Sequence, residues 1–258
     1  MSVLSYLQRR ASDAVLSGDE KASIDRSIST LQTRLDSWFG SDVKNHFRFG
    51  SSTRGTILPR SMDSRSDIDY MVVFAEGGKT PQTYLDRLRR FVERYYSTSE
   101  IYQSSPTIVL ELNHIKFELV PATTGIFNSG YYIPDGSGGW QNTDPHGFSE
   151  ELQEANRSNL NLLKPTIRLA KYWNACNGYV YDSYRFERWI KDRWFLFATN
   201  QTDYLFAVFD AIDLDDILTK WRKEKVERAK KIVKDVRAYL ADDMPYTAED
   251  EVKKLIPE

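Results

Sequence analysis

With 258 residues, the chain has the length of one large domain or two smaller lobes. Hydrophobic residues at 41% and aromatics at 13% exclude a mainly disordered chain, and 35 Lys and Arg against 37 Asp and Glu give no bulk electrostatic case for a duplex-coating protein. One cysteine, Cys176, excludes an internal disulfide and a thiolate zinc cluster, and with three histidines any metal is expected on carboxylates.

No apolar run approaches the roughly 18 residues that span a bilayer, and the N-terminus lacks the apolar core of a signal peptide, so the expected location is the cytoplasm, with no membrane partner. From Lys21 to Phe39, Ile24, Ile28, Leu31, Leu35 and Trp38 recur at steps of 3 and 4. This predicts a long amphipathic helix stopping near Gly40 and bracing both lobes. Phe47-Arg48-Phe49 reads as a short strand running into the turn Gly50-Ser51-Ser52-Thr53-Arg54-Gly55-Thr56. After a polar stretch, Asp67 to Phe74 reads as a buried strand, and Thr80 to Tyr96 as a helix. Thr107–Leu112 and Ile115–Val120 predict two strands joined by a tight turn at Asn113-His114, with Pro121 ending the second.

Residues 125–147 are glycine-rich and predict a long irregular segment, whose Tyr131, Tyr132 and Trp140 either line an acceptor pocket or pack. From Ser149 to Leu240 the periodicity is helical. The expected division is therefore an α/β (α+β) lobe over 1–145, carrying the bracing helix, and a helical lobe over 146–258. Between Lys220 and Arg237, nine basic residues face three acidic ones on an amphipathic helix. Its outer face is either solvated or a track for an oligonucleotide or activating RNA. His114 and His146 read as structural, and Cys176 as a buried or semi-buried thiol without a role.

Asp67 and Asp69 stand two apart at the entry of a strand, so the pleat puts both carboxylates on one face and Ile68 on the other. Close carboxylates repel unless a cation lies between them, and Mg²⁺ is the natural choice at a phosphate site. Glu118, flanked by Phe117 and Leu119, points out of the apolar side of another strand; Glu111 competes for the same role. Three acids on adjacent strands would hold two ions ~3.5–4 Å apart, the arrangement that drives nucleotidyl transfer. Gly50 lets backbone approach a triphosphate, and Ser51, Ser52, Thr53 and Arg54 add donors. Each signal alone has an ordinary explanation in a cap, a turn or a solvated face; their order along the chain favours the catalytic one.

The strings Phe49 to Thr56, Ser66 to Val73 and Phe117 to Ala122 resemble the DNA polymerase β-like nucleotidyltransferase superfamily, and within it the cGAS/DncV-like branch, the CD-NTases of bacterial antiphage defence. Leu169 to Asn174 is similar to that family's Lys-x-Trp helix and Ser183 to Glu187 to its Ser-Tyr-x-x-Glu segment, so the likeness covers most of residues 45–190. It implies a two-lobed polymerase β-like fold, a mixed sheet in the catalytic lobe, and two Mg²⁺ ions (or Mn²⁺) on Asp67, Asp69 and Glu118. It further implies that Gly50 and Ser51 bind the donor triphosphate, that Lys171 and Ser183 grip its β and γ phosphates, and that Tyr184 stacks on the base.

The implied reaction joins NTPs into a cyclic di- or oligonucleotide messenger, releasing pyrophosphate, with a nucleic-acid or protein activator and a downstream effector protein as partners. Two rivals stay open: an untemplated enzyme making linear oligonucleotides or modifying RNA, DNA or protein, and a non-catalytic nucleotide sensor of the same fold. The chain departs from the family in carrying Glu118 where Asp is usual and in its longer stretch between Ser51 and Asp67. It also carries only a brief segment after the basic helix, so no large C-terminal lid is expected.

Overall fold

The computed structural model describes residues 2–104, 106–125, 130–217 and 219–258. In chain order, α1 (Val3–Asp13) is capped by Ser2, and α2 (Gly18–Phe39) starts at a reciprocal Ser17–Glu20 capping box. There follow β1 (Val43–Arg48), the one-turn α3 (Ser51–Arg54), β2 (Asp67–Phe74), α4 (Pro81–Tyr95), β3 (Glu100–Ser104), β4 (Thr107–Glu111) and β5 (Lys116–Thr124). Then come β6 (Tyr131–Pro134), β7 (Trp140–Thr143), α5 (Gly147–Ser158), α6 (Leu163–Cys176), α7 (Ser183–Lys191), α8 (Gln201–Ala211), α9 (Lys220–Ala241) and α10 (Pro245–Leu255). Ser17–Arg60 with Ser64–Glu151 forms a sheet unit; Met1–Leu16, Ser61–Asp63 and Leu152–Glu258 form a helical unit. Of the segment assigned from sequence to the first lobe, Met1–Leu16 thus groups with the helices.

In the sheet unit the strand order is β1-β2-β5-β4-β3, with β6 and β7 continuing from β5. Among the described residues only the β2–β5 pair is parallel, so the sheet is mixed. The alternation along β2 decides what each face does. Ile68, Tyr70, Val72 and Phe74 are fully buried. Phe74 meets Phe39 of α2 at 5.4 Å and Tyr84 of α4 at 4.8 Å, which places both helices on that face. The opposite face begins with Asp67 and Asp69 and ends in a small apolar cluster of Met71, Val73 and Ala122, covered by Phe47, Phe49, Tyr131 and Ile133.

Three sequence expectations are corrected here, and one open alternative is resolved. The buried stripe of α2 ends at Phe39, while Trp38 is largely exposed. Pro121 does not end β5: it pairs with Val72, beyond Leu119, the last residue with a β4 partner, so a proline there interrupts no β4–β5 bond. The glycine-rich stretch holds the β6–β7 hairpin; residues 126–129 of it lie outside the described residues. Within that stretch Tyr131 packs on Phe47 and Trp140 on Tyr84, so packing is what these two rings do.

In the helical unit α6 packs against α1, α7 and α8, around a core of Leu152, Leu163, Ile167, Ala170, Phe186, Ile190 and Val208. α1 also contacts α10, and the Tyr6 hydroxyl donates to the Ile256 carbonyl at 2.6 Å. The segment after the basic helix therefore includes a packed helix, with Val252 and Leu255 buried. Cys176 is exposed rather than buried. Among the described residues no helix is long and apolar enough to cross a membrane.

Candidate active site

The parallel register of β2 and β5 sets Asp67 beside Lys116 and Asp69 beside Glu118. Residues paired across two strands share a face, and so do residues two apart on one strand. Asp67, Asp69, Lys116 and Glu118 therefore form a two-by-two patch on the sheet face away from α2 and α4. Glu111 stands one strand further out, level with Lys116. Its carboxylate lies 3.7 Å from Arg60 and accepts from the Tyr102 hydroxyl at 3.5 Å. Glu118, not Glu111, is the direct neighbour of Asp69.

The glycine-serine turn reaches the same patch because the Phe49 amide donates to the Asp69 carbonyl at 3.0 Å. Gly50 follows at φ +73°, and a β-carbon there would lie 1.8 Å from an Asp69 carboxylate oxygen. Glycine is thus required twice, for the backbone conformation and for the space that Asp69 fills. Ser51 opens α3, and its carbonyl accepts from the amides of Thr56 and Ile57. Three donors expected from sequence are engaged otherwise. The Ser52 hydroxyl donates to the Phe49 carbonyl and the Thr53 hydroxyl to that of Gly50. Arg54 is buried, with its guanidinium 5.1 Å over the Phe148 ring. Short hydroxyl side chains at a turn bond their own backbone first.

Lys116 is the site residue that sequence reasoning missed. Its ammonium lies 2.9 Å from Glu118 and 3.2 Å from Asp67, with its side chain only 15% exposed. Burial alone would lower its pKa, but the Glu118 hydrogen bond and the Asp67 and Glu118 charges outweigh it and hold Lys116 above the ordinary lysine value. The period-2 rule that found Glu118 also predicts Lys116 on the same face.

Fit to a divalent cation can be tested on the donor set. Asp67, Asp69 and Glu118 supply hard oxygen ligands on one face, which suits Mg²⁺ or Mn²⁺. As they stand, however, no group of three His, Cys, Asp or Glu side chains among the described residues closes on one ion. The acids share a patch but, with Lys116 between Asp67 and Glu118, they do not form the closed cage expected from sequence. The chemistry of the donor set itself fits the ion.

In the helical unit, Lys171 on α6 is buried and donates to Glu187 on α7 at 2.6 Å. Gripping a phosphate, as the resemblance implies for Lys171, would draw on ammonium donors other than the one that Glu187 takes. Glu187→Ala is expected to cost about 3 kcal/mol, the usual penalty for removing one member of a buried ion pair. Urea denaturation would check this, and a loss below about 1 kcal/mol would show that the pair contributes little. Asn174 fixes the connection to α7: its amide donates to the Tyr181 carbonyl and its side-chain oxygen accepts from the Tyr181 amide, both at 2.9 Å. Ser183 is the first residue of α7, behind an Asp182 cap, and Tyr184 is 45% exposed.

Comparison with known proteins gives three findings. The profile of the Second Messenger Oligonucleotide or Dinucleotide Synthetase domain matches residues 1–156. A "Probable cyclic nucleotide synthase" of Bacillus cereus (strain VD146) is 30% identical over 182 residues, covering 56% of this chain. The match takes in 54% of that relative, so the chain spans about half its length. Among solved structures, CdnC of E. coli MS115-1 with ATP superposes with a TM-score of 0.74 at 15% identity, over 100% of this chain and 98% of that one. Vibrio cholerae DncV cyclic AMP-GMP synthase with the linear intermediate 5′ pppA(3′,5′)pG gives 0.73 at 10% identity, over 100% and 96%. At such identities these two likenesses show the fold alone.

Proposed function

The chain belongs to the Second Messenger Oligonucleotide or Dinucleotide Synthetase domain family, and from that premise we propose that it is a divalent-metal-dependent nucleotidyltransferase that joins NTPs into a cyclic di- or oligonucleotide messenger. One observation carries the reading: the glycine-serine turn is fastened to β2 so that the Asp69 carboxylate occupies the space left by the missing side chain of Gly50. A turn suited to phosphate and a pair of carboxylates suited to metal thereby become one site.

In this reading Asp67, Asp69 and Glu118 would hold the metal, and the Gly50–Ser51 backbone at the start of α3 would receive the donor triphosphate. Mg²⁺ bound there supplies charge neutralisation and makes the attacking hydroxyl more acidic. That 3′ (or 2′) hydroxyl oxygen bonds the donor's α-phosphorus, the bond to pyrophosphate breaks, and the hydroxyl proton leaves to solvent. By the family resemblance, Ser183 would offer a hydroxyl to phosphates and Tyr184 a face to a base. Lys171, paired with Glu187, fixes α6 to α7 and so sets where Ser183 and Tyr184 stand. ATP and the linear dinucleotide held by the two neighbours support NTP substrates and stepwise linkage. An activator of nucleic-acid or protein nature, an effector protein and a place in antiphage defence complete the proposal.

The test is incubation of the pure chain with four labelled NTPs and Mg²⁺ or Mn²⁺, then phosphatase, then mass spectrometry. The expected result is a phosphatase-resistant product with a cyclic mass. Products that keep phosphatase-labile ends would convert the reading to a linear polymerase. Metal-dependent NTP binding without turnover, whatever nucleic acid is added, would convert it to a sensor.

A further inference from the structure

We propose that Lys116 is a resident counter-ion that competes with the divalent metal for Asp67 and Glu118, so that the three acids assemble around metal only as the lysine is displaced. This rests on reading Asp67, Asp69 and Glu118 as the metal ligands.

The register of β2, β5 and β4 puts Asp67, Asp69, Glu118 and Glu111 on one face, with Lys116 as the cation between them. Like charges facing each other across adjacent strands, as those of Asp69 and Glu118 do, destabilise the sheet. Lys116 relieves that repulsion by reaching Glu118 at 2.9 Å and Asp67 at 3.2 Å. In doing so it engages one candidate ligand from each of the two strands, which is where a bridging metal would also have to bind. A single ammonium and a divalent cation cannot both occupy the gap between the same two carboxylates.

The register also supplies somewhere for the lysine to go. Glu111 is the cross-strand partner of Lys116 on β4, on the side away from Asp67. Glu111 is held by two long contacts, 3.7 Å from Arg60 and 3.5 Å from the Tyr102 hydroxyl, neither as short as the bonds that Lys116 makes now. The flexible four-carbon stem of lysine lets its ammonium swing from one carboxylate to another without moving the backbone. The fold therefore gives Lys116 two seats, one that closes the patch to metal and one that opens it.

The experiment measures metal binding, not turnover. Mn²⁺ affinity of the intact chain is read by electron paramagnetic resonance titration, with thermal unfolding recorded with and without Mn²⁺. Lys116→Met is expected to bind Mn²⁺ on the order of 10-fold more tightly, the scale seen when a group next to metal ligands is changed. It is also expected to unfold earlier than the parent without metal and to gain more from metal. Lys116→Arg, which keeps the charge, should stay near the parent. Should Lys116→Met fail to fold, Glu111→Gln removes the second seat and is expected to weaken Mn²⁺ binding severalfold. Unchanged or weaker Mn²⁺ affinity in Lys116→Met, or unchanged affinity in Glu111→Gln, overturns the proposal while leaving the metal reading standing. If the parent shows no Mn²⁺ binding that is sensitive to Asp67→Asn with Asp69→Asn, the metal reading falls and this proposal with it.

Discussion

Asp69→Asn is expected to reduce pyrophosphate release from NTPs by on the order of 10³-fold or more while leaving the chain folded. The size follows from what the carboxylate is asked to do. A metal ligand at a phosphoryl-transfer site supports several kcal/mol of transition-state charge stabilisation, and each 1.36 kcal/mol is a factor of ten in rate. Asparagine keeps the shape of the side chain but removes the negative charge, so the loss reports charge and not packing. Asp69 is the acid to test first, because it joins the strand acids to the glycine-serine turn. It shares a face with Asp67, pairs with Glu118 across the strands, and lies against Gly50. It is also only partly buried, so its neutralisation should leave the melting temperature within a few degrees of the parent. The measurement is a coupled pyrophosphate assay at saturating Mg²⁺ beside a thermal scan. A rate within tenfold of the parent would remove Asp69 from the chemistry.

How much of this site the sequence disclosed depends on the range of the interaction involved. Strand β2 was legible to the residue, because a run of apolar residues opening with Asp-Ile-Asp carries its own period. The placement of Glu118 on the acid face was legible for the same reason. Lys116 was equally readable, two residues earlier on the same strand, but attention to carboxylates passed over the cation between them. The approach of Gly50 to Asp69 was not legible. It depends on the β1–β2 register and on one hydrogen bond, from the Phe49 amide to the Asp69 carbonyl, that joins residues 20 positions apart. The Lys171–Glu187 pair was hidden likewise, since it forms only when α6 and α7 pack. Short edge strands were missed for a different reason. β3 and β7 are four or five residues long and mostly polar, so their hydrogen bonds to a neighbour, rather than any hydrophobic pattern, keep them extended. α1 carries five buried residues in eleven, but Arg10 stands in the buried stripe, and tertiary contact with α6, α8 and α10 decides it.

The second large effect is expected at Gly50. Gly50→Ala imposes two separable penalties. The backbone at φ +73° and ψ −152° lies in a region that only glycine occupies readily, which costs about 1–3 kcal/mol. The new β-carbon would also stand 1.8 Å from the Asp69 Oδ2 and 2.7 Å from its Cγ, so the carboxylate has to move. Displacing a reacting group by about 1 Å can cost 10²-fold in rate, and that is the loss expected beyond any loss of stability. Gly55 provides the control within the same turn. It too has φ +73°, in the left-handed helical region with ψ 28°, but nothing lies within 4 Å of where its β-carbon would be. Gly55→Ala should therefore show only the strain of a left-handed residue, about 1–2 kcal/mol, with NTP turnover near the parent's at a temperature where both variants are folded. Urea denaturation and the pyrophosphate assay on the two variants separate backbone strain from carboxylate displacement. If Gly50→Ala and Gly55→Ala lose stability and retain turnover alike, the contact between the turn and Asp69 has no catalytic consequence, and the fusion of the two motifs into one site is refuted at its narrowest point.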